Sequence, residues 1–312
     1  MTDQPSGSVL PPLVIVGPTA SGKSSLALRL AEQANANGQA VEIVSADAMA
    51  VYAGMDVGTA KPTKVEQQRV RHHLIDVATP ADDYTVSRFA IEVDDVLGRL
   101  AERGVVPILV GGTGLYVRAV VDQFTIPPKY PEVEQELERE PDTAALYGRL
   151  TELDPVAAAK ILPTNRRRTI RALEVCIGSG QPFSAHGPGV DRYPPTRYVQ
   201  VGLEIERAVM DARIDARYDQ QMADGFLHEV AGLTEQPLSR TARQALGYKE
   251  LLDHLDGAMA LDEALELARK RTRRFARRQQ RWFRRDPRIE WFDAHQPDLV
   301  ERVGNWWGDQ AV

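Results

Sequence analysis

The stretch Gly17-Pro18-Thr19-Ala20-Ser21-Gly22-Lys23-Ser24 lies between an apolar run, Leu13-Val14-Ile15-Val16, and a helical pattern carrying Leu26, Leu28 and Leu30. A strand, a glycine-turned loop and a helix N-terminus in this order form the pattern of a phosphate-binding loop. Gly17 and Gly22 let the backbone wrap until successive N–H groups and the helix dipole converge on one anion. Lys23 adds a point charge, and the Ser24 hydroxyl suits a magnesium ion bridging two phosphate oxygens. A glycine-rich turn can match the motif by chance, but the strand before it and the helix after it argue otherwise. The expected ligand is a polyphosphate, and the loop does not say which.

At 312 residues, with 43% hydrophobic and 26% charged, the chain can bury a sizeable core and has an ordinary globular composition. The single cysteine, Cys176, excludes disulfides within the chain and multi-cysteine zinc sites; in its apolar helical context it reads as a buried structural thiol. The N-terminus, MTDQPSGSVLPP, has no basic region followed by an apolar segment, and no apolar run reaches membrane-spanning length. A cytosolic protein without a membrane partner is expected. The net charge of −6 argues against a polyanionic partner, yet the basic residues are unevenly placed.

Outward from the loop, a second strand reads Val41 to Ser45 and is followed by Ala46-Asp47-Ala48-Met49-Ala50-Val51-Tyr52. In an open parallel sheet the C-terminal strand ends share one edge, so Asp47 should emerge beside the phosphate loop. An acid there either has a chemical task or caps the next turn. The segment from Tyr52 to Pro62, with Gly54 and Gly58, reads as loop, and His72 to Val77 as a short strand. His72 and His73 would point to opposite faces, which disfavours a shared metal. Tyr84 to Arg103 is an amphipathic helix stopped by Gly104. Val105 to Val110 is a buried strand that runs into Gly111-Gly112-Thr113-Gly114. This second glycine turn puts N–H groups and the Thr113 hydroxyl on the same edge, and two such turns can enclose one ligand.

From Phe124 the texture changes. Pro127, Pro128 and Pro131 mark a boundary, and the chain is then helical and charged to Arg197, with no strand pattern. The expected architecture is α/β: a P-loop NTPase-like parallel sheet flanked by helices, built from residues 1–123 and 198–312, with an all-helical insertion over 124–197. Arg166, Arg167, Arg168 and Arg171 crowd the last inserted helix, as a solvated face or as a lid that closes on an anion. The sheet resumes at Tyr198 to Leu203, and Arg213 and Arg217 then share one helix face. The last third reads as helical. Arg269 to Arg288 holds eleven basic residues and one acid, Asp286; Ala268, Phe275 and Trp282 suggest an apolar seam with the arginines outward. Nucleic acid is the commonest counter-charge for such a cluster. The alternative is neutralisation by the acidic segment Asp262 to Glu266.

The phosphate loop alone suits a nucleotide or small-molecule kinase, with Arg166 to Arg168 as lid arginines. That reading leaves the arginine-rich helix without a purpose. An enzyme that takes a diphosphate as leaving group and a nucleic acid as nucleophile uses every feature named so far.

GPTASGKS, SADAMAVYAGMDVGTAKP (from Ser45), LVGGTGLY (from Leu109), RALEV (from Arg171), RQALGYKE (from Arg243) and RRQQRWFRRD (from Arg277) resemble, in order and spacing, motifs of the tRNA dimethylallyltransferases. The resemblance covers nearly the whole chain. No counterpart of the eukaryotic members' C-terminal zinc finger is present, which is the bacterial pattern. It implies transfer of a dimethylallyl group from dimethylallyl diphosphate to the exocyclic N6 amine of the adenosine 3′ of the anticodon, in tRNAs reading codons that begin with U. It further implies magnesium as cofactor, tRNA and dimethylallyl diphosphate as partners, and a monomer.

Carried over residue by residue, Asp47 matches the general base, Thr113 the threonine of the second glycine turn and Arg217 an arginine on the diphosphate side. Gly17 to Ser24 match the diphosphate loop, with Ser24 as the metal ligand. The stretches matching tRNA contacts are Asp47, Ala48, Met49 and Ala50, with Thr113; Arg167, Arg168, Thr169, Ile170 and Arg171; and Gln244, Ala245, Leu246, Gly247, Tyr248 and Lys249. To these the basic helix adds Arg274, Arg278 and Arg281. The target base would be flipped out of its stack into a tunnel between core and insertion. The chain departs from the family at Ala48 and Ala50, where serine and glutamine are usual, and at Glu134 and Gln135, where an arginine is usual.

Overall fold

The computed structural model describes residues 9–124, 126–186, 189 and 192–311; residues 1–8 of the N-terminal stretch read for a leader lie outside them. Two compact units emerge, Met1–Val121 with Pro195–Val312, and Asp122–Pro194.

The first unit is built on six parallel strands, β1 (Leu13–Val16), β2 (Val41–Ser45), β3 (His72–His73), β4 (Val106–Gly111), β5 (Val199–Glu204) and β6 (Ile289–Asp293), in the order β3-β2-β4-β1-β5-β6. The central strand β1 is buried throughout, as its unbroken apolar run requires. Its side chains alternate: Leu13 and Ile15 enter one apolar layer, Val14 and Val16 the other. Helices α1 (Lys23–Ala36) and α2 (Lys64–Arg69) precede α3 (Val86–Glu102), which presents Phe89, Val93, Val96, Leu97 and Leu100 to the core. Thr85 caps its start through the Arg88 N–H, and α4 (Gly114–Val121) follows β4.

Helices are the only regular structure among the described residues of the second unit: α5 (Pro131–Glu138), α6 (Thr143–Leu153), α7 (Pro155–Ala158) and α8 (Arg166–Ser179), besides one short 3₁₀ turn. Leu137, Leu146, Leu150, Ile170, Leu173 and Cys176 form its core, so the cysteine is the buried thiol expected. The chain then returns to the sheet and continues through α9 (Arg207–Ala223), α10 (Phe226–Leu233), α11 (Arg240–Arg243), α12 (Tyr248–Leu255), α13 (Leu261–Phe283) and α14 (Leu299–Gly308). α1 and α14 cover one face of the sheet; α3, α4, α9, α10, α12 and α13 contribute to the layer on the other.

Three expectations are corrected. The last third is not wholly helical, because Ile289 to Asp293 adds β6 beside β5; Trp291 and Ile289 pack where Gly202 leaves no room for a side chain. The strand expected over His72 to Val77 stops at His73, since Leu74 (φ 60°) and Asp76 (φ 57°) turn into left-handed backbone that cannot continue a ladder. The buried seam of α13 runs through Ala264, Ala268, Thr272, Ala276, Gln279 and Phe283, with Phe275 and Trp282 only half-buried at its margin.

Candidate active site at the C-terminal edge of the sheet

Val16 pairs with Gly111, and Ser45 with Val110, so β1, β2 and β4 deliver their following turns to one edge. β2 and β4 stay in contact past their ends: the Ala46 N–H donates to the Val110 carbonyl at 2.8 Å, and a Cβ on Gly111 would collide with the Ala46 carbonyl. Gly111 therefore sets how closely the Asp47 turn approaches the second glycine turn. Thr19, Ala20, Gly22 to Ser24, Asp47, Gly111, Gly112 and Arg217 line a common cavity of about 290 Å³.

The phosphate loop leaves β1 at Gly17 (φ 149°) and enters α1 at Gly22 (φ 89°), with Ala20 also left-handed at φ 64°. α1 has no side-chain cap and no acid in its first turn, so its free N–H groups keep their positive character. The Lys23 ammonium donates to the Pro18 carbonyl at 2.6 Å. Burial pushes its pKa down to about 8, against the pull of Asp47 and with the push of Arg217. Arg217, on α9, donates from Nη1 to the Thr19 hydroxyl at 2.7 Å, and burial lowers its pKa as well. A guanidinium keeps its proton regardless. Two half-buried cations and a helix N-terminus thus face one carboxylate, Asp47, an excess of positive charge that suits an anion.

Asp47 occupies the first position after β2 and Ala46. Its Oδ1 accepts from the N–H of Met49 at 2.8 Å and of Ala50 at 3.4 Å, and Oδ2 accepts no hydrogen bond among the described residues. One oxygen caps the turn while the other is open to the cavity. The Thr113 hydroxyl accepts from the Ala48 N–H at 3.3 Å, tying the second glycine turn to this one. Ala50 is buried and lines the cavity; Met49 packs against the core.

Sequence reasoning missed Gln279. Its buried amide accepts from the Thr19 N–H at 2.8 Å and donates to the Gly112 carbonyl at 2.8 Å, joining the two turns. The available signal was a glutamine at seam spacing from Thr272, Ala276 and Phe283. It also missed Glu229, whose carboxylate accepts from the N–H groups of Asp56 (2.8 Å), Val57 (2.7 Å) and Gly58 (3.1 Å). That holds the loop whose next residues, Thr59 to Pro62, wall the cavity.

None of the residues from the other stretches with an expected role, on α8, at Gln244 to Lys249 or on α13, lines this cavity. Of Gln244 to Lys249, Ala245, Gly247 and Tyr248 are buried, and the Tyr248 hydroxyl donates to Glu229 at 2.6 Å; Lys249 pairs with Asp253. Gln244 is exposed. On α8, Thr169 and Ile170 face inward, and Arg171 is held by Glu174 at 2.7 Å and by the carbonyls of Pro127 and Pro128. Arg166 donates to the carbonyls of Glu138, Glu140 and Pro141, which leaves Arg167 and Arg168 exposed and without an acid partner among the described residues.

The acids in ion pairs with the arginines of α13 and its C-terminal end lie outside Asp262 to Glu266, of which Glu266 adds a longer-range pull on Arg273. Arg269, Arg273 and Arg277 pair with Asp219, Asp215 and Asp211 of α9, while Arg271 pairs with Glu250 and Arg284 with Glu204. Arg274, Arg278 and Arg281 repeat the spacing of the buried seam displaced by two residues, about 200° round the helix. They are exposed, have no acid partner among the described residues, and line a basic groove with Arg207, Arg277 and Gln280.

The sequence profile of the IPP transferase family matches residues 50–286, from just past Asp47 to Asp286 near the end of the basic stretch. The chain belongs to that family. Among IPP transferase relatives, it is 48% identical to a tRNA dimethylallyltransferase of Kineococcus radiotolerans over 304 residues, covering 94% of this chain and 95% of the relative. It is 46% identical to one of Bifidobacterium longum, covering 93% and 88%. Its fold resembles the tRNA isopentenylpyrophosphate transferase of Bacillus halodurans with a TM-score of 0.69, at 38% identity and 94% coverage of each chain. A eukaryotic dimethylallyltransferase acting on tRNA superposes with a TM-score of 0.77, at 26% identity, covering 94% of this chain and 77% of that one.

Proposed function

We infer that this IPP transferase family member transfers a dimethylallyl group from dimethylallyl diphosphate to the N6 amine of an adenosine in tRNA, next to the anticodon, releasing diphosphate. The observation that carries the reading is the cavity where an open phosphate loop and the open Oδ2 of Asp47 meet. The loop N–H groups, Lys23 and Arg217 hold the diphosphate and stabilise the charge that grows on it as the carbon–oxygen bond breaks. The N6 nitrogen takes over the freed carbon. An aromatic amine is barely basic, so its proton leaves as the new bond forms, and Asp47 Oδ2 accepts it. Thr113 fixes the turn that carries Asp47 and lies beside the reacting centre.

Magnesium fits the residues present. The exposed Ser24 hydroxyl at the start of α1 is a hard oxygen donor, and no cluster of three or more His, Cys, Asp or Glu side chains suited to a metal occurs among the described residues. Such a donor set suits an ion that takes most of its ligands from phosphate oxygens and water. When bound it would add charge neutralisation on the diphosphate.

The tRNA backbone is taken by Arg274, Arg278 and Arg281, with Arg167 and Arg168 as further cations and Gln244 to Lys249 as a contact stretch. The same reading has the protein act on tRNA in the cytosol, as a monomer. No helix among the described residues is long and apolar enough to cross a membrane. The test is mass spectrometry of nucleosides from unmodified tRNA after incubation with protein, magnesium and dimethylallyl diphosphate. The expected product is an adenosine heavier by one dimethylallyl group. ATP turnover with no prenylated nucleoside would overturn the assignment in favour of a kinase.

A further inference from the structure

Gln279 lies on the buried seam of α13 and is 7% exposed. A polar side chain in such a place has to satisfy both ends of its amide or lose stability. It does so on two backbone groups far away in sequence. Oε1 accepts from the Thr19 N–H at 2.8 Å, and Nε2 donates to the Gly112 carbonyl at 2.8 Å. The amide orientation is fixed by its partners, because a backbone N–H can only donate and a carbonyl can only accept. Gly112 matches this arrangement: a Cβ there would collide with Gln279 Nε2.

The two partners belong to the two halves of the proposed chemistry. Thr19 is in the diphosphate loop, and its hydroxyl accepts from Arg217 at 2.7 Å. Gly112 precedes Thr113, whose hydroxyl accepts from the Ala48 N–H at 3.3 Å, next to Asp47. Hydrogen bonds therefore run from Arg217 through Thr19 and Gln279 to Gly112, and from its neighbour Thr113 to the turn that carries the base. No other described side chain bonds to both glycine turns. The bond to Thr19 also occupies that N–H, leaving an anion to the other donors of the loop.

We propose that Gln279 is a positioning residue that sets the distance between the diphosphate loop and the Asp47 carboxylate during prenyl transfer. The proposal rests on the function inferred above. In the transfer, the carbon–oxygen bond breaks with its electron pair leaving on the diphosphate, the nitrogen lone pair forms the new bond to that carbon, and the proton passes to Asp47. A reaction with so separated a leaving group and base depends on in-line placement; misplacement by about 1 Å costs on the order of 10²-fold in rate. If the turns drift apart, water can reach the same carbon, giving dimethylallyl alcohol and diphosphate with a water proton passing to the carboxylate.

The test uses the full chain with Gln279→Glu, Gln279→Met and Gly112→Ala. Glutamate keeps the acceptor for Thr19 but sets a carboxylate oxygen against the Gly112 carbonyl. Methionine keeps length and burial with neither bond. The alanine at 112 displaces the amide from the other side. The expected result is a fall of kcat for prenyl transfer by about 10- to 100-fold, with KM for dimethylallyl diphosphate within about threefold of the parent. Diphosphate release should then exceed prenyl transfer, whereas the parent forms both in equal amounts.

A merely structural role would lower the melting temperature and the fraction of diphosphate-binding protein, counted by calorimetry, while turnover per binding-competent molecule stayed parental; that result overturns the proposal. So does parental kcat with equal product amounts in any folded variant. If both Gln279 variants fail to fold, Gly112→Ala decides by the same measures, and loss of folding in all three counts as the structural result. A parent without prenyl transfer would overturn the inferred function, and this proposal with it, whereas an active parent with unaffected variants overturns this proposal alone.

Discussion

Replacing Asp47 by asparagine separates its two roles within one side chain. Oδ1 accepts from the N–H groups of Met49 and Ala50, and an asparagine carbonyl does the same. Asn and Asp cap about equally well, so stability should change by no more than ~0.5 kcal/mol. The open Oδ2 becomes an amide nitrogen that donates and takes no proton. Loss of a placed general base is worth ~10²–10⁴ in rate, or about 3–5 kcal/mol on the barrier.

Asp47 also raises the pKa of Lys23, so in the variant that pKa sinks below its present value of about 8. Assays belong near pH 7, below that value, where the bound diphosphate, itself an anion, favours the charged ammonium as Asp47 did. The expected pattern is a collapse of kcat with KM for both substrates nearly unchanged. Matched titrations of tRNA and dimethylallyl diphosphate, with thermal melts as the stability control, measure it. Turnover within about threefold of the parent would show that Asp47 only caps its turn.

Lys23 predicts opposite pH trends for binding and stability. Diphosphate affinity, followed by calorimetry against a Lys23→Met control, should be flat below about pH 8 and fall above it as the ammonium deprotonates. The unfolded chain holds that proton up to about 10.5, so between these values it binds more protons than the native protein and the free protein gains stability as pH rises. Arg217→Gln removes the donor to Thr19 and should lower kcat/KM by about 10- to 100-fold in steady-state assays, with tRNA affinity intact. Replacing Arg274, Arg278 and Arg281 together by glutamine should make the log-affinity versus log-salt slope for tRNA shallower by roughly two to three units and leave diphosphate binding as it was; an unchanged slope would mark the groove as a solvated face. Glu229→Gln sets an amide among three backbone N–H donors, and chemical denaturation should show a loss of ~1–3 kcal/mol.

What the sequence by itself determined was local in origin. Leu13 to Ser24 declared strand, glycine turn and helix because apolar periodicity, Gly17 and Gly22 act within a few residues of one another. The second glycine turn and the emergence of Asp47 beside the loop followed from one topological rule, that parallel strands end on a shared edge. The order of motifs was enough to name the family. Tertiary structure decided what depends on partners distant in the chain. Phe275 and Trp282 outweigh Thr272 and Gln279 in hydrophobicity, yet the polar pair is buried, because Tyr218, Thr19 and Gly112 meet their hydrogen bonds. Which arginines of α13 remain available was fixed by the acids of α9, a helix some fifty residues earlier. The edge strand β6 shows its pattern only against β5 and Gly202, for five residues carry too little periodicity alone. Periodicity reports which side chains can be buried, whereas pairing energy across the fold selects which of them are.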